Sequence, residues 1–172
     1  MKNKTEPKFK YELSKIAGAE NIMLCFQCGT CTADCPISRY SEFYRHRRIA
    51  RLVQLGYKEE LLSDNRLWLC TTCFACVDHC PQNVEPASIV RALRNLAIKE
   101  KRQIPHVTKE LAFTLLKTGY IYRIPELRLK QREQKGLPQL PKTNLSDIAN
   151  IFKTLGITDV LENTKIFEKV EK

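Results

Sequence analysis

The stretch CFQCGTCTADCP occupies residues 25–36, and CTTCFACVDHCP occupies residues 70–81. Together they hold all eight cysteines of a 172-residue chain, and each closes on a proline. Cys25, Cys28, Cys31 and Cys35 recur as Cys70, Cys73, Cys76 and Cys80, every one displaced by 45 residues. The repeat is confined to these motifs, because the segments flanking them are dissimilar. The fold is therefore decided by what two such loops need from the helices around them.

A compact cluster of iron and sulfide takes four thiolates, one per iron. Three cysteines at two-residue intervals let one tight loop wrap it with peptide N–H groups aimed at the sulfurs. The run C-x2-C-x2-C-x3-C-P belongs to two-cluster proteins in which the fourth cysteine serves the other cluster. Proline after that cysteine fixes φ and removes a donor, so the chain turns away from the site. On this logic Cys25, Cys28, Cys31 and Cys80 hold one [4Fe–4S] cluster, and Cys70, Cys73, Cys76 and Cys35 hold the second. Structural zinc prefers two separated C-x2-C pairs giving four ligands, which fits this spacing poorly. Thioredoxin-like chemistry needs a βαβ setting that the sequence does not offer. Gly29 follows Cys28 where bulky Phe74 follows Cys73, a local difference that bears on water access to the second cluster. His79 directly precedes Cys80 and reads as a surface residue, since eight cysteines already satisfy two clusters.

The rest of the chain reads as helices that hold these loops. A weak helical stretch covers about residues 11–19. Ser41 is placed to cap a helix running to Leu55, with Gly56 at its stop position. Ile49, Leu52 and Val53 share one face of it, with Arg47 and Arg51 opposite. A shorter helix spans about residues 58–62. Pro86 stands where the next helix begins, with Ile89, Leu93, Leu96 and Ala97 in one stripe and Arg91, Arg94 and Arg102 opposed to it. Residues 108–118 form another helix that stops at Gly119. No stretch alternates as a central strand does. The fold class is all-α: a ferredoxin-like helical domain over residues 1–119 with two cysteine-rich loops, then an extension over 120–172.

Within that extension, residues 120–143 break the helical pattern with Pro125, Pro138 and Pro141. Yet Tyr120, Ile121, Tyr122, Ile124, Leu127 and Leu129 are too apolar for a free linker, which suits a segment that docks a partner. Residues 144–155 are again helical, with Gly156 as C-cap. The last fifteen or so residues are mixed in character and read as loosely held.

The formal net charge is +10. Residues 37–69 contribute +3, 82–106 another +3 and 107–136 a further +4, while 137–172 sum to zero. Two oxidised clusters with their thiolates bring the holoprotein to about +6. A field of this sign favours an acidic partner, nucleic acid or an anionic surface. Nucleic-acid binding is disfavoured because the arginines sit on amphipathic helices without aromatic partners. The amino terminus is charged where a signal peptide is apolar. The longest apolar run, residues 22–26, is far short of the roughly 20 residues that span a bilayer. A cytoplasmic protein without direct membrane insertion is expected, a compartment in which eight cysteines are not four disulfides. No G-x-G run offers a dinucleotide or phosphate fingerprint. His46, His79 and His106 form no catalytic spacing. No thiol is left over as a nucleophile, so this chain alone has no substrate site.

At these residues the sequence resembles the iron–sulfur C subunit of heterodisulfide reductase. The resemblance rests on CFQCGTCTADCP, the arginine-rich SEFYRHRRIARLVQLG, WLCTTCFACVDHCP and ASIVRALRNLA, and covers about residues 20–105. It implies an α-helical ferredoxin fold with two [4Fe–4S] clusters. It also implies a non-catalytic relay from a flavin-containing subunit to the catalytic subunit, which reduces the CoM–CoB disulfide in methanogenesis. A hydrogenase or a formate dehydrogenase then feeds the flavin-containing subunit. Iron–sulfur subunits of fumarate reductase, succinate dehydrogenase, glycerol-3-phosphate dehydrogenase and lactate-oxidation complexes carry related motif pairs. They add a [2Fe–2S] domain or further cysteine-rich modules.

Overall fold

The computed structural model describes residues 5–163 and 166–167. Packing divides the chain after Gln103, so that the first unit carries both cysteine motifs and the second begins at Ile104. The expected boundary at residue 119 thus falls one helix too late, because the helix preceding Gly119 packs with elements that follow it.

The first unit starts with α1 (Phe9–Leu13), which buries Phe9 and Leu13. It lies earlier and is shorter than the expected 11–19 helix, and the chain turns at Gly18 with φ +85. A 3-10 turn, Glu20–Leu24, buries Ile22 and delivers the chain to Cys25. Then come α2 (Thr30–Ala33) and α3 (Pro36–Tyr40), the latter with proline at its first position. There the missing N–H is one the helix leaves unpaired anyway.

The next helix, α4 (His46–Leu55), does not start at Ser41 as the pattern predicts. Side chains pin residues 41–45 in a non-helical path. Ser38 Oγ donates to the Tyr44 carbonyl at 2.8 Å, and the Ser41 hydroxyl accepts from the Tyr44 N–H at 3.3 Å. Arg45 Nη1 donates to the carbonyls of Ser41, at 2.8 Å, and of Ser38. With those backbone groups satisfied from the side, Arg45 stays extended at φ −137 and ψ 112 and the helix begins one residue later. Its end matches the expectation: Gly56 has φ +81, and a Cβ there would collide with the Glu6 backbone. Only glycine fits both demands.

Beyond it stand α5 (Lys58–Leu62), a 3-10 turn over Asn65–Leu69, α6 (Ala75–Asp78) and α7 (Pro86–Lys99). The Asp64 side chain caps the 3-10 turn by accepting from the Arg66 N–H at 2.8 Å. α4 packs on α1, α5 and α7, so one core forms from Phe9, Leu13, Ile22, Val53, Leu61, Ile89 and Leu93. Ile49 and Val53 of the expected face are buried, as are Ile89, Leu93 and Ala97 of the next. Leu52 and Leu96 pack at the margin of the core.

The second unit is also helical. A two-residue parallel bridge pairs β1 (Ile104–Pro105) with β2 (Ile166–Phe167), Ile104 opposite Ile166. Between them lie α8 (His106–Thr118), α9 (Glu126–Gln134), α10 (Leu145–Thr154) and α11 (Ile157–Asn163). Gly119 closes α8 at φ +76, with the Thr143 side chain where a Cβ would stand. α9 corrects the reading of residues 120–143, because the prolines bracket a helix instead of breaking one. Pro125 serves as its N-cap, and Pro138 follows its end. Asn144 caps α10 by accepting from the Ser146 N–H at 3.1 Å. Residues 157–163, expected to be loosely held, are helical, and part of that last stretch lies outside the described residues. Among the described residues no helix is long and apolar enough to cross a membrane.

Candidate metal centres

The two cysteine loops of the first unit are built alike. In each, a left-handed residue follows the first cysteine by two: Gln27 at φ 68 and Thr72 at φ 53. In each, a second left-handed residue caps a four-residue helix, Gly29 at φ +91 for α2 and Phe74 at φ +61 for α6. These two reversals fold the loop tightly enough for three cysteines to face one volume. The short helices α2 and α6 pack against each other, and that contact brings the two halves of the repeat together.

Their meeting creates two cavities. The first is lined by Cys25, Cys28 and Cys31 from one motif and Cys80 from the other. The second is lined by Cys70, Cys73 and Cys76 together with Cys35. Cys31 and Cys35 stand four residues apart yet line different cavities. All eight thiols are free of disulfides. Among the described residues, no three of His, Cys, Asp or Glu close on a point as the ligands of one ion do. The thiols surround a volume instead, and four of them around each cavity fit a four-iron cluster.

The donors around the sulfurs differ between the sites. At the first, Gln27 Nε2 donates to Cys25 Sγ at 3.3 Å, and the Val84 N–H donates to Cys80 Sγ at 3.4 Å. Thr30 Oγ1 lies 3.5 Å from Cys28 Sγ, and this hydroxyl lowers the Cys28 pKa. Cys31 is half-buried, and desolvation raises its thiol to about 11. At the second site Cys35 and Cys76 are buried, and burial pushes Cys76 up to about 12. The Ala87 backbone at the start of α7 works the other way on Cys76. A helix N-terminus presents unpaired N–H groups and partial positive charge, which favours a thiolate there. Buried thiols this reluctant to ionise gain a reason to be where they are once iron takes the proton's place.

Three residues singled out in the sequence resolve as follows. Phe74 lines the second cavity but is itself 41% exposed, so it covers the mouth of that site from the surface. His79 Nδ1 lies 2.7 Å from an Asp34 carboxylate oxygen. These occupy equivalent places in the two motifs, each just before the fourth cysteine, so the pair ties one elbow of the repeat to the other. Arg94 departs from the expectation of an arginine without an aromatic partner. Its guanidinium lies 5.3 Å over the Trp68 ring and donates to the carbonyls of Leu67 and Cys70. Sequence reasoning missed this inward role because the acceptors lie 24 and 27 residues away. It also missed His46 and Tyr44. His46 lines the second cavity, and burial keeps it neutral with a pKa lowered to about 4.

Fold and site together define a helical carrier of two iron–sulfur clusters, and the family described as a 4Fe-4S dicluster domain matches residues 21–84. The chain is 36% identical to the C subunit of the H(2):CoB-CoM heterodisulfide,ferredoxin reductase of Methanothermobacter thermautotrophicus, covering 87% of this chain and 83% of that protein. It is 36% identical to the iron-sulfur C subunit of the CoB–CoM heterodisulfide reductase of Methanopyrus kandleri, over 80% of this chain and 74% of the relative. Against the C subunit of the ferredoxin/F(420)H(2)-dependent CoB-CoM heterodisulfide reductase of Methanosarcina acetivorans, identity is 33% over 94% and 98%. The chain belongs to the family of heterodisulfide reductase C subunits, as an iron–sulfur electron-transfer subunit with two [4Fe–4S] clusters.

Proposed function

We propose that this chain relays electrons from a flavin-containing subunit to a catalytic subunit that reduces the CoM–CoB disulfide in methanogenesis, and that it performs no substrate chemistry itself. The observation that carries this reading is the pair of four-cysteine cavities, each completed by a cysteine from the opposite motif. On this reading Cys25, Cys28, Cys31 and Cys80 are the ligands of one cluster, and Cys70, Cys73, Cys76 and Cys35 those of the other. The clusters, when bound, supply one-electron carriers, and the protein's part is to set their distance, potential and access to partners. The α2–α6 contact holds the sites side by side, and Cys31 of the first acts electrostatically on Cys76 of the second. One exposed thiol in each set, Cys28 and Cys73, puts a ligand position at the surface where electrons arrive or leave.

Two surfaces support docking in a cytoplasmic complex, fed indirectly by a hydrogenase or a formate dehydrogenase. Arg47 lines both the first cavity and an adjoining groove that also holds Arg45, Arg48 and Arg51, a basic face suited to an acidic partner. In the second unit the described residues bury three large apolar side chains, Ile104, Phe152 and Leu161. They leave Val107, Leu111, Ile121, Tyr122, Leu127 and others exposed. Apolar surface of that extent on a thin unit marks a protein interface.

The test is an anaerobic preparation of the full chain with its co-expressed partners. It is expected to hold about eight iron and eight sulfide per chain and to give two interacting paramagnetic centres on reduction. The chain alone accepts electrons from a low-potential donor without turning over the heterodisulfide. Ile121→Asp with Tyr122→Asp keeps both centres and loses co-purification with the partners. Stoichiometric zinc without sulfide, or disulfide turnover by the chain alone, sinks the reading.

A further inference from the structure

Tyr44 is among the largest side chains of the core, at 1% exposure, and its hydroxyl is sealed from solvent without a completed hydrogen bond. A buried hydroxyl with no acceptor is a cost that folded proteins rarely carry. Three ionisable groups act on this one: Cys70, which the hydroxyl faces, Cys35, also a lining thiol of the second cavity, and the Arg94 guanidinium. Arg94 is fixed there, with Nε and Nη2 donating to the Leu67 carbonyl at 2.9 and 2.7 Å and Nη2 to the Cys70 carbonyl at 2.7 Å. The phenol ring is held edge-on to His46 at 5.1 Å. The hydroxyl of Tyr44 therefore faces the protein interior and not water.

The phenol has no completed hydrogen bond, and a neutral thiol beside it is only a weak acceptor. An iron-bound thiolate is a strong one. We propose that Tyr44 donates its hydroxyl hydrogen to Cys70 Sγ in the clustered protein, and that Arg94 stands beside the same ligand as a fixed cation, the two together stabilising the reduced second cluster over the oxidised one. The inference rests on the assignment of Cys70 as a ligand of that cluster. Reduction adds one negative charge to the cluster and its thiolates. A donor and a cation beside the ligand both gain more from the reduced state, and hydrogen bonds to sulfur and net charge are established levers on potential. Tyr44 and Arg94 thus act on the electron affinity of the buried site. They compensate for a burial that otherwise disfavours the extra charge.

The experiment compares wild type with Tyr44→Phe as full-length holoprotein, by redox titration followed by paramagnetic resonance. Phenylalanine keeps the ring and its contact with His46 and removes only the donor. One midpoint is expected to become more negative, by up to about tenfold in the reduction equilibrium, which is about 59 mV for one electron. The other midpoint stays in place. In the reduced wild type, pulsed electron–nuclear double resonance shows an exchangeable proton coupled to that same centre, and Tyr44→Phe lacks it. The affected centre is the one that Cys73→Ser perturbs. With both centres present in both proteins, unchanged midpoints or a retained coupling count against Tyr44 alone. A shift confined to the centre that Cys73→Ser leaves intact does so too. A wild type without two centres removes the ligand assignment itself.

Discussion

The two cavities share a ligand pattern and differ in almost everything around it. The first is served by a side-chain amide on Cys25, a hydroxyl beside Cys28 and a backbone N–H on Cys80, and turns at a glycine that Arg47 packs beside. The second has two buried cysteines, an aromatic at its mouth, and Tyr44, His46 and Arg94 in or behind its wall. Identical spacing fixes which metal group binds. The surroundings, contributed by helices outside the repeat, decide how each group behaves. A repeat in sequence therefore yields two sites with unequal exposure and unequal electrostatics.

The largest consequence is in iron loss. Chelation of the anaerobic holoprotein is expected to take about four irons in a fast phase from the first site, none of whose four thiols is fully buried, and four more slowly from the second. Iron release followed with the two resonance signals checks this, and a single uniform phase removes the distinction. Next in size is the wall behind Cys70. Arg94→Gln strips the Leu67 and Cys70 carbonyls of their donor, and leaving buried acceptors unmet costs ~1–3 kcal/mol. Denaturant unfolding of the holoprotein should show that loss together with a shift in the second centre alone.

A smaller effect separates the loop turns. Gly29→Ala adds a side chain at φ +91, a region that costs an L-residue roughly 1–2 kcal/mol. Phe74→Gly removes the same strain at the equivalent place, so its backbone gain opposes the loss of the ring. The smallest effect belongs to Gln27→Leu, which deletes one donor to Cys25 and should lower the first midpoint slightly without touching the second. Equal movement of both midpoints breaks the claim that each site is tuned by its own neighbours.

How much of this was legible in the sequence depends on range. Cysteine spacing, the Gly56 and Gly119 stops, the helix over 58–62 and the helix that follows Asn144 are local patterns, and each appears in place. The late start of α4 escaped because Arg45 and Ser38 satisfy the backbone of residues 41–45, an arrangement no periodicity reveals. α9 is not legible in the sequence because a proline reads as a breaker, although Pro125 stands at an N-cap where it is tolerated. By its spacing Arg94 belongs to the polar side of an amphipathic helix. Its three inward bonds depend on the chain returning through the 3-10 turn before Cys70. Tyr44 carried no signal at all, since a lone tyrosine between two helices becomes informative only when its hydroxyl is seen to lack an acceptor.

The central claim is that each cluster takes three thiolates from one motif and its fourth from the other. Mössbauer spectra of iron-57 holoprotein carrying Cys35→Ser test it most directly, because Cys35 belongs to the first motif but lines the second cavity. The spectra should show an altered or depleted cluster at the site that Cys73→Ser also perturbs, and an intact one at the site that Cys28→Ser perturbs. If Cys35→Ser disturbs the Cys28 site and leaves the Cys73 site whole, the crossed assignment is wrong.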